Sequence, residues 1–265
     1  MTHIAGKNGN VYGNALLLED CEDVWVAGTG ASAISAVTGK VGTYCVRDTT
    51  TTLGAAALMM TEIIAPGTLV AYDGVYFWYR SSVNQVAGDT ALLLDDTAAC
   101  ATPIEILSLP ALVATVWKQC FIRFANPSLL ASIISVGLRQ VTDLADGTFD
   151  IDDVEALAEI DGIKSWTLDY TADTLETTDF GSAGVKAYII GGSGWSGSFE
   201  GFKDGAPLGI GSEVYITLGE SVATASQNWI GKVLVTGAHP QTSHDGIVSY
   251  SYDFQGTGAL GVPDA

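Results

Sequence analysis

Residues 160–170 read IDGIKSWTLDY, residues 194–201 read GWSGSFEG, and residues 246–258 read GIVSYSYDFQGTG. In all three segments large apolar side chains alternate with small polar ones, most of which are Ser, Thr, Asp or Glu. Successive side chains of a strand point to opposite faces of a sheet, so this period of two indicates strands with one apolar and one polar face. The sequence therefore predicts a sheet that is buried on one face and hydrated on the other.

The alternation assigns individual side chains to the two faces. The predicted polar face carries Ser165, Thr167, Asp169, Ser196, Ser198, Glu200, Ser249, Ser251 and Asp253. The predicted core face carries Trp166, Leu168, Tyr170, Tyr250, Tyr252 and Phe254. Glycine-rich turns separate the predicted strands of this region, which are residues 160–170, 194–202, 213–219, 228–236 and 246–255. Between Glu200 and Glu213, residues 204–212 contain three Gly and a Pro, which leave room for at most one helical turn.

These segments resemble the major tail tube proteins of tailed bacteriophages. The likeness is carried by the Ser-Trp-x-Leu strand at 165–168, an acidic, Thr-rich turn after it, the Trp-Ser-Gly-Ser strand at 195–198 and the Phe-Gln-Gly-Thr-Gly ending at 254–258. Residues 6–11, Gly-Lys-Asn-Gly-Asn-Val, are similar to the opening strand of that family. The resemblance covers about half of the chain, and roughly 140 residues separate its two parts.

The resemblance implies a mainly β fold with a tail-tube-like β-sandwich or barrel core. It assigns residues 1–13 and 151–265 to that core, and residues 14–150 to an inserted, mostly β domain on the tube exterior. It implies rings of six subunits that stack into a tube, with one sheet of each subunit joining a barrel around the channel. On this basis the nine polar-face residues are the candidates for the channel wall.

The same resemblance implies partners and a location. The partners are further copies of the chain and other tail proteins, such as the tape measure, the tail terminator and the baseplate, while DNA passes through without specific binding. The start of the chain shows no signal peptide, and its longest apolar segments, 106–117 and 129–138, are too short to span a bilayer. The chain is therefore expected to assemble in the host cytoplasm and to reside in the virion tail.

Charge and composition agree with a structural role. The chain is 48% hydrophobic and 15% charged, which indicates folded structure throughout, and its net charge is -19. After residue 150, four lysines stand against sixteen Asp and Glu residues, a net charge of -12. Such a surface cannot neutralise phosphates, which disfavours ordinary nucleic-acid binding. The four cysteines, at 21, 45, 100 and 120, are widely spaced and are predicted to be buried and reduced.

No residue pattern points to catalysis or to a cofactor. The chain has three histidines, and the Ser243-His244-Asp245 run consists of sequence neighbours, whose side chains rarely achieve triad geometry. We therefore expect no enzymatic activity and no cofactor. Residues 143–153 leave two alternatives: a solvated acidic turn, which is favoured, or the second half of a calcium loop, in which Leu144 would occupy a ligand position.

Residues 14–150, which separate the two tail-tube-like parts, also contain patterns that predict strands. Residues 67–80 read as a hairpin around an Asp-Gly turn, and residues 88–94 as a further strand. Asn126 and Pro127 begin either a helix or a buried strand. The alternative to a tube subunit is a virion-associated β-sandwich that recognises a carbohydrate or a receptor. Such a module would use Tyr76, Trp78 and Tyr79 as exposed stacking platforms.

Overall fold

A computed structural model describes residues 8–28, 33–51, 54–144, 146–178, 181, 185–202, 207–219, 228–242, 244 and 246–263. The described chain is almost entirely antiparallel β structure, which confirms the predicted fold class. It divides into two compact units. The discontinuous unit comprises Met1–Tyr12 and Ile160–Ala265, and the inserted unit comprises Gly13–Glu159.

The division differs from the predicted boundary at residue 150. Residues 151–159 complete a strand, β11 (Gly147–Glu159), that belongs to the inserted unit. Its pairing partners include β4 (Tyr44–Thr50) and β6 (Gly74–Ser81), which lie in the same unit. Because a strand is held by its ladder partners, the apolar run from Ile151 onward stays with them.

The discontinuous unit is built on one antiparallel set of strands. They are the beginning of β1 (Asn8–Glu19), β12 (Ile163–Glu176), β13 (Tyr188–Phe202), β14 (Glu213–Gly219), β15 (Asn228–Gln241) and β16 (Ser249–Gly256). Their order across the sheet is β12-β13-β16-β15-β14-β1. All five strands predicted after residue 160 are present, and β12, β13 and β15 are longer than predicted. Of the predicted opening strand, Asn8–Val11 begin β1, whereas Gly6 and Lys7 lie outside the described residues.

The core of this unit draws side chains from every one of these strands except β12, whose apolar residues pack against it from the side. Its fully buried members are Val11, Trp195, Phe199, Val214, Ile216, Leu218, Val233, Val235, Tyr252 and Phe254. Residues 207–212, in the interval where at most one helical turn was predicted, contain no helix, and residues 203–206 lie outside the described part.

The inserted unit contains two packed sets of strands. One has the order β2-β5-β10-β7-β8 and consists of β2 (Val26–Ala27), β5 (Leu58–Gly67), β7 (Thr90–Asp95), β8 (Glu105–Ser108) and β10 (Ile133–Gln140). The other is formed by β3 (Ala33–Thr38), β4, β6, β9 (Lys118–Arg123) and β11. Met60, Leu92 and Val136 of the first set meet Phe77 and Ile151 of the second in a single large core.

The hairpin predicted over residues 67–80 is wrong in its first half. Gly67 ends β5 and Gly74 begins β6, and these strands belong to different sheets. The link between them is anchored by Leu69, which is fully buried and whose N–H donates to the Leu130 carbonyl at 2.7 Å. The apolar pattern there therefore marks a buried crossing between sheets.

Two other predictions in this unit have clear outcomes. The strand predicted at residues 88–94 is present as β7, and the four cysteines are buried and free, as predicted. The segment after Asn126 begins with a short turn, so neither alternative is correct there. Pro127–Leu129 is one 3-10 turn without a side-chain cap, and the next strand, β10, begins at Ile133. Among the described helices, none is long and apolar enough to cross a membrane.

Candidate functional site

The register of β12, β13 and β16 brings the nine predicted polar-face residues together. Side chains directly opposite each other on paired strands point to the same face. The pairing forms three rows across the strands, Ser165 with Glu200 and Ser251, Thr167 with Ser198 and Asp253, and Asp169 with Ser196 and Gln255. Ser249 lies opposite Phe202 in the next row. We refer to the nine residues, which are exposed or half-buried, as the polar face.

Hydrogen bonds run along these rows. The Ser165 hydroxyl donates to Glu200 Oε1 at 2.9 Å, and the hydroxyls of Thr167 and Ser198 lie 2.9 Å apart. The Thr167 hydroxyl also accepts the Ser198 backbone N–H at 3.2 Å. Neighbouring side chains therefore orient one another.

A histidine that sequence reasoning missed joins this surface from β15. His239 lies opposite Ser251 in the ladder, and its Nε2 atom lies 2.9 Å from Asp253 Oδ2. Strict alternation from the buried Val233 and Val235 would place His239 on the core face, and the register shift between Val235 and Gly237 moves it to the polar side. The strand was predicted to end at residue 236, yet the observed ladder continues, and Pro240 is paired with Tyr250.

The electrostatics of the polar face keep its central carboxylate ionised. The pKa of Glu200 is lowered, chiefly by the hydrogen bond from Ser165 and then by Lys164, whose Nζ lies 3.3 Å from Glu200 Oε1. Hydrogen bonds and a nearby cation both favour the charged form of a carboxyl group. The face therefore carries fixed negative charge at neutral pH.

The opposite side of these strands forms the core only in part. Tyr252 and Phe254 are buried, while Trp166, Leu168 and Tyr250 are half-buried against the same cluster. Tyr170 is 51% exposed, so its assignment to the core is wrong. The reason lies in the pairing: β16 covers β13 only from Ser196 to Phe202, and Tyr170 is opposite Trp195, just beyond that overlap.

Trp195 joins the two motifs on which the resemblance depends. Its indole packs on Gly256, where any Cβ would lie inside the ring, and against Gly231, where a Cβ would come within 2.7 Å of it. Its Nε1–H donates to the Gly258 carbonyl at 2.8 Å, and the Gln255 amide donates to the Trp195 carbonyl at 2.8 Å. The glycines of the Phe-Gln-Gly-Thr-Gly ending thus leave space for the Trp of the Trp-Ser-Gly-Ser strand.

The outer half of the β12–β13 ribbon is apolar and exposed. Pairing continues to Glu176 opposite Tyr188, well beyond the part covered by β16. Leu175 lies opposite Ile189 on one face of this ribbon, and Ile190, in the adjacent pair, lies on the other face with 78% of its surface exposed. We call Leu175, Tyr188, Ile189 and Ile190 the apolar ribbon. Within the described residues nothing covers either of its faces.

The aromatic residues proposed for ligand stacking are not accessible. Tyr76, Trp78 and Tyr79 are only 3%, 8% and 0% exposed, so the prediction that they form an exposed platform is wrong. Tyr79 is a core residue whose hydroxyl donates to Gln85 at 2.9 Å. Trp78 lies beneath Lys40, whose Nζ is 4.9 Å from the ring centroid.

The acidic segment near residue 150 is also different from the predicted solvated turn. Gly147–Asp153 lie in β11, and Asp150 and Asp152 are buried. Arg47 Nε and Arg80 Nε each lie 2.7 Å from the Asp150 carboxylate. Asp152 accepts the backbone N–H groups of residues 40 and 41, and burial raises its pKa. In the described part of the chain, no group of three His, Cys, Asp or Glu residues is arranged to hold a metal ion.

Comparisons with known proteins give distant likenesses only. No family model and no curated protein matches the sequence. The fold is similar to the tail of an empty GTA particle with C6 symmetry, at 19% identity and a TM-score of 0.33, covering 41% of this chain and 87% of that one. It is also similar to a proposed sugar-binding protein from Bacteroides thetaiotaomicron, at 9% identity and a TM-score of 0.32, covering 56% of this chain and 88% of that one. At these TM-scores neither likeness bears on the function.

Proposed function

We propose that the chain is a structural subunit of a phage tail tube, in which stacked rings of six copies enclose a channel for DNA. The observation that carries the proposal is the polar face, in which nine hydroxyl and carboxylate side chains from β12, β13 and β16 lie in adjacent rows. It is supported by the tail-tube motifs, which are coupled through Trp195 and Gly256. In this proposal the polar face lines the channel, and the chain has neither catalytic residues nor a cofactor.

The chemistry of the polar face suits the passage of a polyanion. A wall of hydroxyls and carboxylates repels phosphate. At physiological salt the Debye length is about 8 Å, so the repulsion acts only on phosphates close to the wall. Binding to DNA depends on cations that displace condensed counterions. Asp169 and Asp253 instead repeat a negative charge along the wall, and Glu200 is paired with Lys164, so DNA would slide without being held.

The apolar ribbon supports self-association. Soluble monomers rarely expose large contiguous apolar patches, and patches of this kind mark interaction sites. A two-stranded ribbon that is apolar on both faces needs contacts on both faces to become buried. In a stacked tube, neighbouring copies would supply those contacts, and the strands that are exposed at the edge of the sheet would pair with the next subunit.

Negative-stain electron microscopy of the purified, concentrated chain at moderate salt tests the proposal. Hollow rings or tubes with a central channel are the expected result. A chain that stays monodisperse and monomeric at high concentration, both alone and with other tail components, would contradict it. Labelling of Ser198→Cys with a bulky maleimide tests whether the polar face lines the channel. The cysteine is expected to react in the monomer and to react less in the tube. The matched variant Val113→Cys, an exposed site of the inserted unit, reports general reactivity.

A further inference from the structure

The lysines of the discontinuous unit share one arrangement. Each lysine that the structure describes in this unit lies close to a carboxylate: Lys164 with Glu200 at 3.3 Å, Lys186 with Glu176 at 3.0 Å, and Lys232 with Glu213 at 3.2 Å. His239 has the same relation to Asp253. Exposed pairs of this kind contribute little to stability, because both side chains are hydrated and lose conformational freedom when they pair. Their regularity therefore needs a reason other than stability.

Lys164 is the cation closest to the polar face. Its ammonium lies between the Glu200 carboxylate and the ring of Phe202, 5.4 Å from the ring centroid. Both neighbours attract a cation, the ring through its negative face. Glu200 Oε1 receives the Ser165 hydroxyl as well as the ammonium, so the carboxylate is oriented before any ligand arrives.

An unpaired ammonium at this position would oppose the function proposed above. In rings of six it would repeat six times around each level of the channel, and each copy could bind a phosphate. A carboxylate within 3.3 Å cancels most of the field of that ammonium at the distance of a passing backbone. We propose that Glu200 is a charge-masking residue that prevents Lys164 from binding the phosphates of duplex DNA, an inference that rests on the polar face being the channel wall.

The chain offers a matched control for this role. Lys232 has the same two kinds of neighbour as Lys164, namely a carboxylate, Glu213, and an aromatic ring, Tyr215, at 5.4 Å. The Lys232–Glu213 pair is not part of the polar face. Glu200→Gln and Glu213→Gln therefore make the same change in net charge and each release one lysine, but only Glu200→Gln releases it beside the polar-face hydroxyls.

Fluorescence anisotropy of a short labelled DNA duplex at low salt and pH 8 measures the effect. The wild-type chain is expected to show no saturable binding. Glu200→Gln is expected to show saturable binding, with a salt dependence of about -0.9 in log K against log salt for each released lysine. Lys164→Ala/Glu200→Gln should return to the wild-type level, and Glu213→Gln should stay near it. Circular dichroism confirms that all variants are folded.

Three results would overturn the inference: no gain in Glu200→Gln, a gain that survives in Lys164→Ala/Glu200→Gln, or an equal gain in Glu213→Gln. The second would assign the gain to lost negative charge alone, and the third to net charge irrespective of position. Micrographs of the same samples separate this inference from the tube proposal. If the chain forms no rings, the tube proposal fails, whereas the anisotropy still shows whether Glu200 masks Lys164.

Discussion

The two units of this molecule differ in where they place their carboxylates and in the size of their cores. The inserted unit buries carboxylates, such as Asp150 between two arginines, and closes one large core around them. The discontinuous unit has a smaller core, displays its carboxylates on the polar face and leaves the apolar ribbon uncovered. The contrast lies in where the charges are placed: the inserted unit neutralises Asp150 internally, while the polar face and the apolar ribbon of the discontinuous unit are exposed or half-buried.

The largest expected effect separates the cores of the two units. Trp195→Ala removes the indole between Gly231 and Gly256 and leaves the Gly258 carbonyl without its donor. Removing a buried Trp side chain costs about 4 kcal/mol of unfolding free energy because a cavity remains. Hydrogen exchange read by mass spectrometry should show the loss of protection in β13 to β16 only.

The control for this change is Trp117→Ala. Trp117 is half-buried in the inserted unit, where the Arg80 guanidinium lies 4.5 Å from its ring centroid, so the loss of stability should be smaller and confined to that unit. If Trp195→Ala also released protection across β4 to β11, the two units would unfold as one, and the contrast between them would not extend to stability.

The second prediction compares a buried with an exposed carboxylate. Asp150→Asn should destabilise the inserted unit by about 3 kcal/mol, because the change leaves two partly buried arginines without their counter-charge. Asp253→Asn, at a carboxylate whose side chain is 55% exposed, should change stability by about 0.5 kcal/mol or less. Urea denaturation of both variants provides the comparison, and equal losses would contradict it.

The polar face could be predicted from the sequence because its signal is local. Alternation assigns Ser196, Ser198 and Glu200 to one face of their strand whatever strand lies beside them. Residues that are paired across neighbouring strands then point to the same face of the sheet. The environment of Asp150 could not be predicted in this way. Its partners Arg80 and Arg47 are 70 and 103 residues away, so the local sequence, which favours a solvated turn, does not reveal them.

Other failures have the same origin. The crossing link at Leu69 has the apolar pattern of a strand, since burial alone, without a ladder partner, produces it. Tyr170 continues the alternation of the core face, but its exposure depends on where β16 stops covering β13. Both errors concern which segments end up side by side, and alternation within one segment carries no information on that.

The third prediction concerns the exposed apolar groups of the two units. Ile189→Ser/Ile190→Ser should leave the monomer nearly as stable, since both side chains are exposed, and should weaken ring or tube formation by about 2 kcal/mol per contact. That corresponds to roughly a 30-fold higher concentration for assembly. Val113→Ser, at an equally exposed apolar side chain of the inserted unit, is the control and should assemble as wild type. Sedimentation velocity over a concentration series would detect both, and unchanged assembly in the ribbon variant would remove the ribbon from the interface.

The smallest expected effect is a pH dependence of opposite sign in the two units. Burial, opposed by a hydrogen bond from the Cys21 N–H and reinforced by Asp23, Asp20 and Glu62, raises the pKa of Glu19 in the inserted unit to about 7. Because its pKa is higher folded than unfolded, Glu19 costs nothing below about pH 4.5 and lowers stability increasingly up to about pH 7.

Glu19→Gln should remove this decline and make the chain more stable than wild type above pH 7, by about 1 kcal/mol after allowance for the solvent exposure of the side chain. Glu200→Gln should act in the opposite sense, because a lowered pKa adds stability above the unfolded value and loses it as the pH falls through the folded value. Urea denaturation midpoints at pH 4, 6 and 8 give the change of stability with pH for wild type, Glu19→Gln and Glu200→Gln. If the two variants changed the slope in the same direction, burial in the inserted unit and hydrogen bonding on the polar face would not be the forces that distinguish these carboxylates.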